Sequence, residues 1–233
     1  MYKKLAKIYD NLYSFKDYES LAQKLVQFIE QYRPGARSVL EVACGTGQFL
    51  RRLSTKYQVE GSDISPEMLT VAKMHCPGVP LHESDLIEID IPRQFDVVAC
   101  LFSSISYLGT VSRMNQAVER MSRHLNPGGI LIIEPFFSPE TIWEDDLRLD
   151  TFNSTEQKIA SMYVTKVEGN LAICDIHYLL GEKTGVEHFV ERHEFGLFTD
   201  AEYRASITRL GLEVSYDHRG IFGRGMYIGS LSR

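Results

Sequence analysis

The stretch Ser38-Val39-Leu40-Glu41-Val42-Ala43-Cys44-Gly45-Thr46-Gly47-Gln48-Phe49-Leu50 constrains the fold of this chain more than any other. It reads as a buried apolar strand with an acid inside it, a turn through two glycines spaced one apart, and the start of a helix. A tight strand-to-helix turn often needs positive φ, and a missing side chain lets a ligand touch the backbone, so Gly45 and Gly47 mark a binding turn.

The following residues repeat strand and helix in alternation, which predicts a parallel sheet covered by helices. A second strand over 57–62 ends at Asp63, and Ser65-Pro66-Glu67 opens a helix with a capping serine, proline at the first position and an acid near the positive end. A third strand is expected at Val79 to Glu83, ahead of Ser84-Asp85-Leu86, and a fourth at Phe95 to Phe102. Thr110 caps a helix whose apolar positions Met114, Ala117, Val118, Met121 and Leu125 share a face; Asn126-Pro127-Gly128-Gly129 ends it before a fifth strand, Ile130 to Glu134.

Both ends depart from this alternation. Tyr18, Leu21, Ala22, Leu25, Phe28, Ile29 and Tyr32 predict an amphipathic helix stopped at Pro34-Gly35, while Tyr2, Tyr9 and Tyr13 ahead of it serve either as packing staples or as a flap over a ligand. Residues 157–166, 170–181 and 186–197 read as an antiparallel meander inserted after the fifth strand. Thr199-Asp200-Ala201-Glu202 is a capping box opening a helix to about 210, closed by Gly211, and Leu212 to Tyr216 with Met226 to Leu231 form a last hairpin. The expected fold is α/β, a seven-stranded, mostly parallel sheet plus the meander.

Composition narrows the partners. Asp and Glu number 31 against 25 Lys and Arg, and no block of five like charges occurs, which argues against a nucleic-acid surface and for a small ligand. No leader-like apolar region and no run of eighteen apolar residues is present, so a soluble cytoplasmic protein without membrane contact, monomer or homodimer, is expected. Cys44, Cys76, Cys100 and Cys174 are scattered without a C-x-x-C pair and read as buried thiols, and no metal is required.

The chemistry of the turn is then separable. A dinucleotide loop wants a third glycine, but the chain continues Gly47-Gln48-Phe49-Leu50, and Glu41 would face a pyrophosphate badly while suiting an ammonium. A zwitterionic ligand fits better. Arg224, between Gly223 and Gly225, suits a phosphate because its planar fork makes two parallel hydrogen bonds. Along 171–180, Ala172, Cys174, Ile176, Tyr178 and Leu180 form a core face, so Asp175 and His177 point to a cleft or to solvent, and His188 and His193 lie on opposite faces.

Glu41-Val42-Ala43-Cys44-Gly45-Thr46-Gly47, Asp63, Ser84-Asp85-Leu86 and Asn126-Pro127-Gly128-Gly129 resemble, in order, the signatures of class I S-adenosylmethionine-dependent methyltransferases. The resemblance implies a Rossmann-like methyltransferase sheet in one domain: an N-terminal flap and helix (1–35), a cofactor-binding core (36–135), an acceptor-side insert (150–198) and a C-terminal helix and hairpin (199–233). It implies S-adenosyl-L-methionine as cofactor, with Glu41, Ala43, Gly45 and Gly47 at its methionine part, Asp63 on both ribose hydroxyls, Ile64 on the adenine, and Asp85 and Leu86 at the ring edge. Tyr18 and Phe102 are further cofactor candidates. Ala43 stands where many members carry glycine, which requires negative φ there.

A narrower similarity, carried by Cys100 to Leu108, Glu134-Pro135-Phe136-Phe137-Ser138-Pro139-Glu140, Asp175 to Tyr178, Leu197-Phe198-Thr199 and Gly223-Arg224-Gly225, is to N,N-dimethyltransferases of nucleotide-linked amino sugars of the desosamine and mycaminose type. It implies in-line methyl transfer to an amine, with Tyr107, His177 and Tyr9 as candidate catalytic residues and Tyr2 and Arg224 at the acceptor. Phe136-Phe137 replaces two tryptophans of those enzymes. Methylation of another natural-product or peptide amine, or of a hydroxyl, shares the same cofactor half, and a non-catalytic cofactor-binding protein is the reading from a different class. A nucleic-acid base methyltransferase is disfavoured by Phe102-Ser103-Ser104-Ile105 where a planar amino group would need an Asn/Asp-Pro-Pro-Tyr type of segment.

Overall fold

The computed structural model describes residues 4–231. In chain order the elements are α1 (Tyr9–Leu12), α2 (Tyr18–Tyr32), β1 (Ser38–Val42), α3 (Gln48–Leu53), β2 (Gln58–Asp63), α4 (Pro66–His75), β3 (Leu81–Glu83), β4 (Phe95–Cys100), α5 (Val111–Ser122) and β5 (Leu125–Ile133). Then follow β6 (Leu147–Asn153), β7 (Gln157–Glu168), β8 (Leu171–Glu182), β9 (Gly185–Gly196), α6 (Asp200–Thr208), β10 (Glu213–Asp217) and β11 (Met226–Ser230).

The main sheet has seven strands in the order β10-β11-β5-β4-β1-β2-β3. Strands β1 to β5 pair in parallel, and β11 and β10 join antiparallel at the β5 edge. Strand parity divides the core. Val39, Val97 and Ile130 face α2 and α3 through Leu25, Ile29, Leu50 and Leu53, while their neighbours Leu40, Val98 and Leu131 meet Met114, Val118 and Met121 of α5 and Ile207 of α6. Chain order reverses between β1 and β4, which opens a crevice at the carboxyl ends of these two strands, where ligands of open α/β sheets bind.

The helix entries follow the sequence. Ser65 accepts from the Met68 N–H at 3.2 Å and Thr110 from the Arg113 N–H at 3.3 Å. Thr199 and Glu202 close a reciprocal capping box.

The second sheet differs from the expected meander in having four antiparallel strands, β6-β7-β8-β9. The added strand β6 pairs from Leu147↔Val164 to Asn153↔Lys158, so the insert starts ahead of residue 150. The Asn126-Pro127-Gly128-Gly129 run lies within β5 instead of terminating α5, which already ends at Ser122; the β4–β5 register shifts between Phe95 and Val97 to accommodate it. The inner face of the second sheet, with Ile159, Cys174, Ile176 and Tyr178, is covered by Leu5, Ile8 and Leu12. Tyr9 and Tyr13 pack against this cluster, so the N-terminal segment joins the second sheet to the crevice. Tyr2 lies outside the described residues.

Candidate functional site

The turn after β1 is held by the acid at the tip of β2. Asp63 Oδ2 accepts from the Gly45 N–H at 2.8 Å and Oδ1 from the Ser65 N–H at 2.9 Å, linking the glycine turn to the first turn of α4. The Ile64 N–H also turns toward this carboxylate, and the acceptor capacity left over is available to a ligand hydroxyl. Gly45 has φ +56° and a Cβ added there would have nothing within 4 Å, leaving an open cradle; at Gly47, φ +78°, the added atom would meet Cys76 Sγ at 3.0 Å and Ala72 Cβ at 3.2 Å of the α4 segment. Ala43 has φ +52°, which corrects the expected negative value and costs on the order of 1–2 kcal/mol for a residue with a Cβ.

Glu41 is 3% exposed, and its Oε2 has no hydrogen-bond partner among the described residues. Burial, with the charge of Asp63 adding to it, holds its carboxyl well above the usual range. An orphaned buried carboxylate oxygen two residues before the turn is the group a ligand ammonium would satisfy. Together with the open cradle at Gly45 it fits the amino-acid end of a zwitterionic cofactor.

Around this half the structure places Ile64 62% exposed immediately after β2, where it offers an uncovered apolar surface. Asp85 Oδ1 accepts from the Ile87 N–H at 3.2 Å and Oδ2 lies 3.6 Å from Arg113, while Leu86 packs against the α5-side core. Tyr18 is buried edge-on to Phe49, with ring centroids 5.7 Å apart. Sequence reasoning missed a clasp on the turn: Thr46 Oγ1 donates to Asp10 of α1 at 2.7 Å.

At the ends of β4 and β5 a second constellation forms. Glu134, 0% exposed, accepts from the Phe102 N–H at 2.6 Å and from Arg224 Nη2 at 2.9 Å. Burial raises its carboxyl to about 7 against the opposing pull of Arg224. Phe102 and Ser103 are both left-handed, at φ +56° and +59°, and Glu134 thus pins a backbone that such residues adopt rarely. The Phe102 ring meets Tyr13 at 5.9 Å and Phe222 at 5.1 Å, and Phe222 in turn meets Phe49 of α3 at 6.2 Å. Arg224, expected at a phosphate, is committed through Nη2 to Glu134, and its buried Nε has no partner among the described residues.

Tyr107 is brought together with a histidine, but with His193 and not with His177. The Tyr107 hydroxyl lies 2.8 Å from His193 Nδ1, and Phe195 of β9 packs on Tyr107 at 4.7 Å and on Phe136 at 4.6 Å. His177 lies on the outer face of the second sheet, in a cross-strand row Leu149–Met162–His177–Val190, with its Nδ1 3.1 Å from His188 Nε2. Strand parity put His177 toward a cleft or solvent and set His188 and His193 on opposite faces, as found; the cross-strand register, which parity does not supply, brings His193 to Tyr107. Tyr9 belongs to the second-sheet cluster beside Tyr13, ring centroids 4.6 Å apart.

His193 is buried, and burial pushes its pKa from 6.5 down to about 4. A neutral ring at pH 7 orients the Tyr107 hydroxyl and is a poor final store for a proton. The folded protein binds fewer protons here than the unfolded chain between about 4 and 6.5, so stability is fully present above that window and falls as pH drops through it, by roughly 3 kcal/mol. Chemical denaturation at pH 7 and pH 5 should show a smaller stability loss in His193→Gln than in the parent; equal losses would remove His193 as the titrating group.

Residues 39–129 match a family described as a methyltransferase domain. The chain is 34% identical over 228 residues to the dTDP-3-amino-3,4,6-trideoxy-alpha-D-glucopyranose N,N-dimethyltransferase of Streptomyces venezuelae, covering 96% of each. Among solved structures it is similar to Streptomyces venezuelae DesVI, at TM-score 0.92 and 33% identity over 98% of each chain. It is also similar to CalS10, an S-adenosylmethionine-bound amino pentose methyltransferase of Micromonospora echinaspora involved in calicheamicin biosynthesis, at TM-score 0.85 and 32% identity over 93% of this chain and 92% of that one.

Proposed function

As the chain belongs to the S-adenosylmethionine-dependent methyltransferases, we propose that it N-methylates a small amine, the amino group of a nucleotide-linked deoxyamino sugar in natural-product biosynthesis. The observation that carries this acceptor is similarity spanning both halves of the fold, the second sheet included, to proteins named as N,N-dimethyltransferases of dTDP-amino sugars. The described residues contain no helix long and apolar enough to cross a membrane, and we place the reaction in the cytoplasm, where a nucleotide sugar is available.

The cofactor brings a methyl group on sulfonium, whose departure needs no help from an acid. The chain's part is therefore to bind, align and dry the reacting pair, which is worth an effective molarity on the order of 10⁵ M or more. Glu41, the Ala43–Gly47 turn and Asp63 hold the methionine and ribose ends, with Ile64, Asp85 and Leu86 around the adenine. Tyr107, held by His193 at 2.8 Å, presents its hydroxyl to the incoming amine and orients it, and an ammonium substrate sheds its proton to solvent before the attack. Arg224, with Nη2 fixed on Glu134, offers its remaining N–H groups to an acceptor phosphate.

Tyr107→Phe should lower kcat about tenfold or less with cofactor affinity unchanged, because alignment is weakened and no obligatory base is removed. Complete loss of turnover at intact cofactor binding would instead make the hydroxyl essential. The acceptor assignment is tested by rates of S-adenosylhomocysteine formation over a panel of nucleotide-linked amino sugars, free amino sugars, peptides and small amines. A preference for a peptide or a simple amine would replace the nucleotide-sugar reading.

A further inference from the structure

Lys16 lies in the bend between α1 and α2, and its ammonium points into the crevice. Nζ stands 3.4 Å from the Phe102 ring centroid, 4.6 Å from that of Tyr13 and 5.3 Å from that of Phe222. Three rings around one cation form a cage of the kind that recognises sulfonium-like and alkylated ammonium groups, which are weakly hydrated and lose little on entering it. A primary ammonium is strongly hydrated and loses more. The cage also lies where a ligand charge is wanted: Phe102 follows β4 closely, and Phe222 touches Phe49, two residues beyond the Gly47 turn.

We propose that the cage of Tyr13, Phe102 and Phe222 is the subsite for the cofactor's sulfonium, and that the Lys16 ammonium is a resident cation which the sulfonium displaces. The proposal rests on the reading that the crevice binds S-adenosylmethionine. It gives the N-terminal segment a role beyond packing, since the loop carrying Lys16 must shift or discharge before the ligand charge can enter.

The charges facing Lys16 are arranged for such an exchange. Burial first, and then Arg224 from the β10–β11 loop, push its pKa down to about 7, against the opposing carboxylates of Glu134 after β5 and Asp150 on β6. Tyr13 is held neutral, its hydroxyl pKa raised by burial and by Tyr163, Asp150 and Tyr18, so it contributes a ring face and no charge. Near neutral pH, Lys16 can thus release its proton to solvent when a second cation approaches.

The test compares the sulfonium ligand with its neutral counterpart. Calorimetry of the full chain with S-adenosylmethionine and with S-adenosylhomocysteine should give Lys16→Met about tenfold tighter binding of the former and unchanged binding of the latter. In the parent protein S-adenosylmethionine affinity should rise with pH through about 7 as Lys16 discharges, with buffer-dependent heats reporting proton release; Lys16→Met should reduce both effects to the part contributed by the Glu134 carboxyl, which also titrates at about 7. Phe222→Leu should weaken the sulfonium ligand more than the neutral one. An affinity ratio of the two ligands that is the same in parent, Lys16→Met and Phe222→Leu overturns the cage, as does a ratio lowered in Lys16→Met. Failure of the parent to bind either ligand would overturn the cofactor reading itself.

Discussion

Asp63→Ala should weaken S-adenosylmethionine binding by on the order of 10²-fold or more, the largest effect of any single change at the cofactor end. The carboxylate does two things that no other side chain here can take over. It accepts the Gly45 and Ser65 N–H groups at 2.8 and 2.9 Å, which fixes the glycine turn against α4, and its remaining acceptor capacity is what we propose meets the ribose hydroxyls. Alanine leaves the Gly45 and Ser65 N–H groups without this partner and removes the acceptors proposed for the ribose. Asp63→Asn separates these roles, since the amide keeps one acceptor oxygen and the shape of the site; it should bind more weakly than the parent and better than alanine. Calorimetry decides, and an Asp63→Ala protein that remains folded and binds with parental affinity would remove the ribose assignment.

Glu134→Ala should cost about 3–5 kcal/mol of stability, lowering Tm by about 10 °C or more, because it takes one partner from a buried ion pair. Three features depend on this carboxylate: the Arg224 side chain, the Phe102 N–H, and through it the left-handed Phe102–Ser103 backbone that sets the ring in the cage. Glu134→Gln keeps an acceptor for Phe102 and loses only the charge, so its loss should be clearly smaller. Equal Tm values for the alanine variant and the parent would show that Arg224 and Phe102 are held by other means.

Features fixed by neighbours in sequence were legible before the structure. The caps Ser65, Thr110 and Thr199 state helix starts through short-range hydrogen bonds, and Glu41, Gly45, Gly47 and Asp63 mark, by residue type and strand position, the strand-to-helix turn proposed to bind the cofactor. Features decided by distant segments were not. β6 carries Leu147-Arg148-Leu149-Asp150-Thr151-Phe152-Asn153 at a sheet edge with Leu147 and Leu149 exposed, so no buried stripe announces it; pairing with β7 makes it a strand. Positive φ at Ala43 runs against the preference of its residue type and is enforced by the stitching of Cys44 N–H to Ser62 and of Gly47 N–H to Cys44. His193 and Tyr107 are 86 positions apart and meet only through the fold. The same holds for Lys16, which looks like an ordinary surface lysine until three rings from separate parts of the chain enclose it.

We propose that the cofactor crevice, together with the aromatic cleft formed by Tyr107, His193, Phe195 and Phe136, transfers methyl groups to an amine. The most direct test is the mass of a dTDP-linked deoxyamino sugar after incubation with the protein and S-adenosylmethionine. The sugar should gain one or two methyl groups, and the gain should be lost when its amino group is replaced by hydroxyl. An unchanged mass for every amine offered to a protein that binds S-adenosylmethionine, or a methyl group found on oxygen or carbon, would contradict it.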